Sequence, residues 1–188
     1  QAEQAQVAAS SADAVFAFYP GGLGVAFAKQ YAQAGLNRKL PLLSSFIADA
    51  LTLPAIGDTS IGMISGGFWA PDFKNSESQR FVEEFERKYK RIPSNYAAQS
   101  YDAAQLLDSA IAKVKGNVAD KPAFMAALKQ ADFKSVRGNM TFGNNHFPIQ
   151  GMHVMQVGKD GKGRLNLQMI GTPFKSYQDA YAASCPLK

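Results

Sequence analysis

The stretch of this chain best suited to chemistry is Tyr19-Pro20-Gly21-Gly22. Proline cannot continue a central strand, and the paired glycines permit a sharp turn. From Leu23 the apolar residues recur at helical spacing, so the turn delivers the chain into a helix start. Backbone N–H groups exposed at such a start favour an anionic ligand. The competing reading is structural, with the glycines making a tight turn and nothing more. Gly21-Gly22-Leu23-Gly24 has the glycine content of a dinucleotide loop, but it lacks the G-x-G-x-x-G spacing and the Lys-Ser/Thr of a phosphate loop. Nucleotide binding is therefore not expected.

The aromatic residues are the second signal. Phe18, Tyr19, Phe46, Phe68, Trp69 and Tyr96 fall at or near predicted strand ends and crossing points of the chain. Single aromatics are usually core; gathered at one edge of a sheet, they line an apolar pocket for a ring-containing ligand. Catalytic constellations are not expected. Cys185 sits in a terminal tail, and neither His146 nor His153 stands beside a nucleophile motif such as G-x-S-x-G. The two histidines have no cysteine or carboxylate at ligand spacing, so they read as a turn histidine and a strand histidine rather than a metal site. Glu83, Glu84 and Glu86 read as the solvated side of a helix. The expectation is a protein with no catalytic residue, no metal and no cofactor.

The elements that must position these residues follow from periodicity. Ala14–Phe18 is a continuous apolar run too short for a helix, which suits a strand buried on both faces of a parallel sheet. Leu23, Phe27, Ala28, Tyr31 and Ala34 form a helix stripe, and Gly35 stands where a C-terminal cap belongs. In open α/β sheets ligands sit beyond the carboxyl ends of the strands, which places Tyr19–Gly22 at such a site. Leu40–Leu43 is a second strand followed by Ser44-Ser45-Phe46, Ala48–Leu53 a short helix ended by Pro54, and Ile61–Trp69 a third strand. Strands alternating with helices imply crossovers and a parallel sheet.

After the aperiodic Ala70–Asn75, a helix capped by Ser76 or Ser78 is expected to run through Lys90, with Phe81, Val82, Phe85 and Tyr89 on its inner stripe. Ile92–Asn95 breaks it. Tyr96–Val114 is a longer helix whose buried face is expected to hold Ala97, Tyr101, Ala104, Leu106, Leu107 and Ile111. Lys121–Gln130 is a third helix with Pro122 in its first turn. The last third turns β: Asn139–Phe142, a turn at Gly143–His146, then Met152–Val157 and Leu165–Ile170 joined by a hairpin loop at Gly158–Gly163. There is no internal repeat.

With 188 residues, 46% of them hydrophobic and 19% charged, the chain makes one large domain or two small ones with a real core. No apolar run approaches the roughly 20 residues of a membrane helix. The net charge of +5 is scattered, and its densest cluster, Arg87–Arg91, ends a helix, where cations complement the macrodipole. A basic face interleaved with aromatics is missing from the pattern, so no nucleic-acid partner is expected. The lone Cys185 fits an idle thiol or, in an exported protein, half of a disulfide. No signal peptide is read at the start; Gln1–Ser10 reads as the end of a helix leading into the first strand, so the sequence is expected to be a piece of a longer protein.

Three segments taken together carry a family resemblance: DAVFAFYPGGLGVAFAKQYAQAGL, GGFWAPDFKNSESQRFVEEFERKYKRIPSNYAAQSYDAAQLLDSAI and FKSVRGNMTFGNNHFPIQ. In order and spacing, above all in P-x-x-Y-x-x-x-x-Y-D-A at Pro93–Ala103, they resemble the type I periplasmic substrate-binding proteins of ABC transporters, the leucine/isoleucine/valine-binding family. The resemblance covers the whole chain but only the C-terminal part of such proteins. It implies an incomplete α/β fold of doubly wound parallel sheets in two lobes that close on a ligand. Residues 1–69 would be a C-terminal-lobe segment, 76–137 a helical segment of the N-terminal lobe, and 138–188 the hinge crossing and closing β segment. By position Tyr19 and Gly21 match the family's contact after a lobe strand, Ser44 the contact at the next strand's end, and Tyr96 the aromatic before the long helix. With Gly22, Phe46 and Trp69 from the turn and aromatic readings, these are the expected ligand-binding residues.

The amino-acid binders of this family place an acid near Ser44 to meet the ligand's ammonium, and Ser44-Ser45-Phe46 offers none. An unpartnered buried ammonium costs several kcal/mol. The FAFYPGG and NHFPIQ versions of the motifs resemble the branch that takes up aromatic carboxylates. The implied function is extracytoplasmic, periplasmic capture of a small carboxylate for an ABC permease, an aromatic acid before a branched-chain amino acid. The alternative is a ligand-sensing domain of a receptor or regulator with the same fold. A chain of this length standing alone is expected to dimerise or swap strands through exposed sheet edge.

Overall fold

The computed structural model describes residues 2–187. Gln1 and Lys188, which close two of the expected segments, lie outside the described residues. The chain divides into two compact units: the first holds the chain up to Asp72 together with His153–Gly171, the second holds Phe73–Met152 and the chain from Thr172 onward.

The first unit is α/β. After helix α1 (Ala2–Ala9) come strand β1 (Val15–Ala17), helix α2 (Gly22–Gln33), strand β2 (Leu42–Ser44), the short helix α3 (Leu53–Ile56) and strand β3 (Ile64–Gly67). β1, β2 and β3 are parallel neighbours, with Val15 opposite Leu42 and Leu43 opposite Ile64. Two further strands, β5 (Pro148–Lys159) and β6 (Leu165–Tyr177), pass through both units. Within the first unit, His153–Gln156 of β5 pairs antiparallel with β3, and β6 pairs with β5. The turn between β5 and β6 is tied by Asp160, whose carboxylate accepts from the Lys162 and Arg164 amides and from the Arg164 guanidinium. The core is Tyr31, Leu36, Leu42, Ile47, Leu53, Met155, Val157 and Leu167, all at most 4% exposed. The expected dimer or strand swap finds no support.

The expected parallel order and the αL glycine after α2 (Gly35, φ 70°) are both present. The expected helix over Ala48–Leu53 is not. There the Thr52 hydroxyl donates to the Ile47 carbonyl at 2.6 Å and accepts from the Asp49 amide at 3.0 Å, while the Asp49 carboxylate accepts from the Leu51 amide at 2.9 Å. Short polar side chains that satisfy nearby backbone groups offer the chain an alternative to the helix ladder. Pro54 then starts α3 rather than ending a helix, because a missing N–H costs nothing in a first turn.

The second unit is mainly helical: α4 (Ser76–Tyr89), α5 (Asn95–Lys113) and α6 (Lys121–Lys129), with strand β4 (Thr141–Phe142) paired to Pro148–Ile149 at the start of β5. Each helix begins on a side-chain cap. Asn75, not Ser76 or Ser78, caps α4 by accepting from the Ser78 amide; Ser94 caps α5 through Ala97, and Asp120 caps α6 through Ala123. The stripe of α4 is right at Phe81, whose ring lies 4.8 Å from that of Tyr101, but Tyr89 is exposed. On α5 the buried face is turned from the expected one. It carries Asn95, Ala98, Asp102 and Ala110, whereas Leu107 and Ile111 are exposed.

That turn has an identifiable cause. Asp102, 1% exposed, accepts from the Ser135 hydroxyl at 2.5 Å, the Val136 amide at 2.9 Å and the Arg137 Nε at 2.7 Å. Arg137 also donates to the Gln150 amide oxygen at 2.9 Å. A buried carboxylate must be met by donors, so the donor-rich segment after α6 dictates which face of α5 points inward.

Candidate functional site

The parallel register brings the carboxyl ends of β1, β2 and β3 level: Ala17 stands opposite Ser44, and Ser44 opposite Ser65. Each strand is followed within two residues by an aromatic residue at that edge: Phe18 after β1, Phe46 after β2 and Phe68 after β3. The rings of Phe18 and Phe46 meet edge to face at 6.2 Å, and those of Phe46 and Phe68 lie 6.3 Å apart. The result is a crescent of three rings, one per strand, grading from Phe18 at 56% exposure to Phe68 at 8%. Beyond Phe68, Trp69 is buried to 1% exposure.

Phe46 holds the centre of this crescent in a left-handed backbone conformation (φ 63°). That costs a bulky non-glycine residue on the order of 1–2 kcal/mol and persists only where the surroundings enforce it. The knot of Ile47, Asp49 and Thr52 described above fixes the chain on its C-terminal side, and Ser45 donates to the Gly66 carbonyl at 3.2 Å on the other. Ser44 is 3% exposed and turns its hydroxyl toward the Ile64 carbonyl at 3.5 Å, so Ser45 is the more open of the two hydroxyls.

The turn before α2 is built for close approach. Gly21 adopts φ 68° and ψ −139°, a region only glycine enters readily, and it supplies no side-chain cap. The first intrahelical bond of this turn runs from the Val25 amide to the Gly21 carbonyl at 3.2 Å, leaving the Gly22 and Leu23 amides without an internal acceptor at an exposed helix start. A Cβ on Gly24 would lie 2.0 Å from the Tyr19 carbonyl oxygen, so the helix start is pressed onto the end of β1. Tyr19 itself is 45% exposed and packs its ring 5.2 Å from that of Phe27.

Of the residues singled out from the sequence, the first unit thus brings Tyr19, Gly21, Gly22 and Phe46 to one sheet edge, with Ser44 and Trp69 buried behind it. Tyr96 belongs to the second unit, in the first turn of α5, 45% exposed. Ser100 donates to its carbonyl at 2.9 Å. The sequence reading passed over three features. Gly24 carried a signal, as a glycine inside the first helical turn, where alanine is better tolerated. Asp102 is one of two acids on α5, with the exposed Asp108, and nothing local marks it as the buried one. The positive φ of Phe46 left no trace in the sequence.

Among the described residues no three His, Cys, Asp or Glu side chains come together as metal ligands. His146 lies in the turn after β4 and His153 on β5. Partial burial lowers the His153 pKa below the ordinary histidine value. Cys185 is a free thiol, and no helix among the described residues is long and apolar enough to cross a membrane.

Comparison with known proteins is consistent with this arrangement. A family model described as periplasmic binding protein matches residues 2–162. The solute-binding protein of an ABC transporter from R. palustris, solved in complex with benzoate, is 33% identical and superposes with a TM-score of 0.88 over 100% of this chain and 50% of its own. A second R. palustris solute-binding protein, in complex with 4-hydroxybenzoate, is 26% identical with a TM-score of 0.85, covering 95% of this chain and 50% of its own. A leucine-binding protein from Thermotoga maritima shares the fold at 20% identity and a TM-score of 0.74, covering 89% of this chain and 47% of its own. The chain therefore spans about half the length of these proteins. No curated protein sequence matches it.

Proposed function

We propose that this chain, which belongs to the periplasmic binding protein family, is part of the extracytoplasmic solute-binding component of an ABC importer, and that its ligand is a small aromatic carboxylate. Proteins of this family bind and release their solute without transforming it, so the chemistry required is recognition alone. The observation that carries the reading is the carboxyl edge of β1, β2 and β3, where three rings stand beside the uncapped start of α2. Ring faces and edges suit an aromatic body, and free helix-start amides suit a carboxylate.

The charge at this edge favours a carboxylate over an α-amino acid. Residues 18–22, 44–46 and 66–69 include no acid. The nearest carboxylates in the chain are Asp49, 3% exposed and engaged with the Leu51 amide, and Asp72, whose Oδ2 accepts from the Met169 amide. An ammonium held by residues 18–22, 44–46 and 66–69 would find no counter-charge within those segments. Benzoate-type complexes among the structural relatives support the preference. In this reading Tyr19, Gly21, Gly22 and Phe46 are direct contacts, Ser44 and Trp69 support the edge, and Tyr96 is a contact assigned by resemblance. Residues 1–69 and 76–137 belong to different lobes, and 138–188 is the crossing and closing segment.

The test is a thermal-shift panel on the complete protein with benzoate, 4-hydroxybenzoate, cinnamate, leucine and valine. A ligand at about a thousand times its Kd stabilises by about 4 kcal/mol. Aromatic acids are expected to raise Tm and the amino acids to leave it unchanged. A shift with leucine or valine alone would refute the aromatic-acid reading.

A further inference from the structure

Side chains across the carboxyl edge form rungs, and the outermost rung has a gap. Residues paired in a sheet point to the same face, and successive residues along a strand alternate. Ala17, Ser44, Ser65 and Met155 stand opposite one another, and none is more than 7% exposed. One residue further along, the side chains turn to the other face. Phe18 and Ser45 follow β1 and β2 there, Ser45 donates to the Gly66 carbonyl at 3.2 Å, and Gly66 stands opposite Val154. Phe18 is 56% exposed, and Ser45 and Val154 are partly exposed. Between Ser45 and Val154, glycine supplies no side chain.

Neither backbone nor packing calls for a glycine at this position. Gly66 lies in β3 with φ outside the left-handed range, and a Cβ built on it would meet no atom within 4 Å. Gly24 and Gly67 differ, because a Cβ there would lie 2.0 Å from the Tyr19 carbonyl oxygen and 2.8 Å from Met155 Cε. A glycine inside a strand weakens it, and close approach of a ligand is one reason for keeping it. We propose that Gly66 is a specificity-determining residue. The room left by its missing side chain receives the ring of the bound acid, between Ser45 and Val154 and beside the crescent of Phe18, Phe46 and Phe68. This inference rests on the carboxyl-edge site proposed above and adds the residue that limits how wide a ligand the site admits. A side chain placed at this position takes the ligand's room while touching nothing in the protein.

Gly66→Ala and Gly66→Val in the complete protein, followed by thermal melts and by titration with benzoate, test the assignment. Gly161→Ala, in the turn between β5 and β6, is the control, since a Cβ there also meets nothing within 4 Å. Both Gly66 variants are expected to melt at or above the parent temperature, because alanine and valine suit an extended strand better than glycine. Benzoate affinity is expected to fall about tenfold in Gly66→Ala and about a hundredfold in Gly66→Val, the range that misplaced methyl groups command in a pocket. In Gly161→Ala it should not change. Stability and affinity moving in opposite directions is the signature, since a purely structural glycine would lose both together. Parent-like benzoate binding by Gly66→Val would overturn the assignment and leave the carboxyl-edge site standing. A lowered Tm in Gly66→Val would also overturn it, because another part of the protein would then be packing into the gap. A parent that binds none of the acids would sink the proposed function and this assignment together. A parent that responds to leucine alone would sink the aromatic-acid reading, and this assignment would then stand only if Gly66→Val abolishes the leucine response.

Discussion

Replacing Asp102 by alanine probes the second unit where its energetics are most concentrated. The carboxylate is 1% exposed and accepts from three donors, and the Arg137 side chain that it neutralises is itself only 9% exposed. Asp102→Ala leaves a buried guanidinium without its counter-charge, and the Ser135 hydroxyl and Val136 amide without their acceptor. Breaking a buried pair from one side costs about 3–5 kcal/mol, because the orphaned charge stays desolvated. For a chain of this size about 1 kcal/mol corresponds to roughly 2–4 °C, so Tm should fall by about 6–20 °C. Urea denaturation followed by circular dichroism measures the free energy. A cycle with Arg137→Met and the double variant separates the pair from its parts. The double variant should be less destabilised than the sum of the two singles, since it removes both charges at once. A loss below about 1 kcal/mol for Asp102→Ala, or strict additivity in the cycle, would refute the claim that this ion pair locks α5 to the segment after α6.

Two further substitutions test other parts of the argument. Gly24→Ala places a methyl 2.0 Å from a backbone oxygen that cannot swing away, so the start of α2 must shift; overpacking of this kind costs about 1–3 kcal/mol and should weaken ligand binding together with stability. An alanine variant that melts and binds like the parent would remove the close-packing account. His153 is held below its ordinary pKa by partial burial, so the unfolded chain takes up a proton there more readily than the folded one. Stability should therefore fall as pH drops through the unfolded value of about 6.5, and level off below the folded value. His153→Gln should flatten that segment of the stability–pH curve, and an unchanged slope would assign it to other groups.

The sequence by itself determined the local grammar of this protein. An apolar run, a proline and two glycines, then a 3.6-residue period, specify strand, turn and helix without reference to anything distant, and β1, α2 and the αL Gly35 follow. Alternation of strands with helices was enough for the parallel order of β1, β2 and β3, because crossover connections leave little choice of handedness or neighbour. The caps of α5 and α6 are equally local, although on α4 the preceding Asn75 took the role from two nearby serines.

Only the tertiary structure decided the features whose partners lie far along the chain. Asp102 and Arg137 are 35 residues apart, and their pairing overrode the apolar stripe that would have buried Leu107 and Ile111. The helix expected over Ala48–Leu53 gave way to the side-chain bonds of Asp49 and Thr52. The left-handed Phe46 exists because the loop after β2 is pinned on both sides, which no propensity of phenylalanine anticipates. The binding edge follows the same division. Its residue types were legible in the sequence, but strand register alone set Phe18, Phe46 and Phe68 side by side and turned Ser44 inward, because which side chain faces solvent is fixed by pairing rather than by composition.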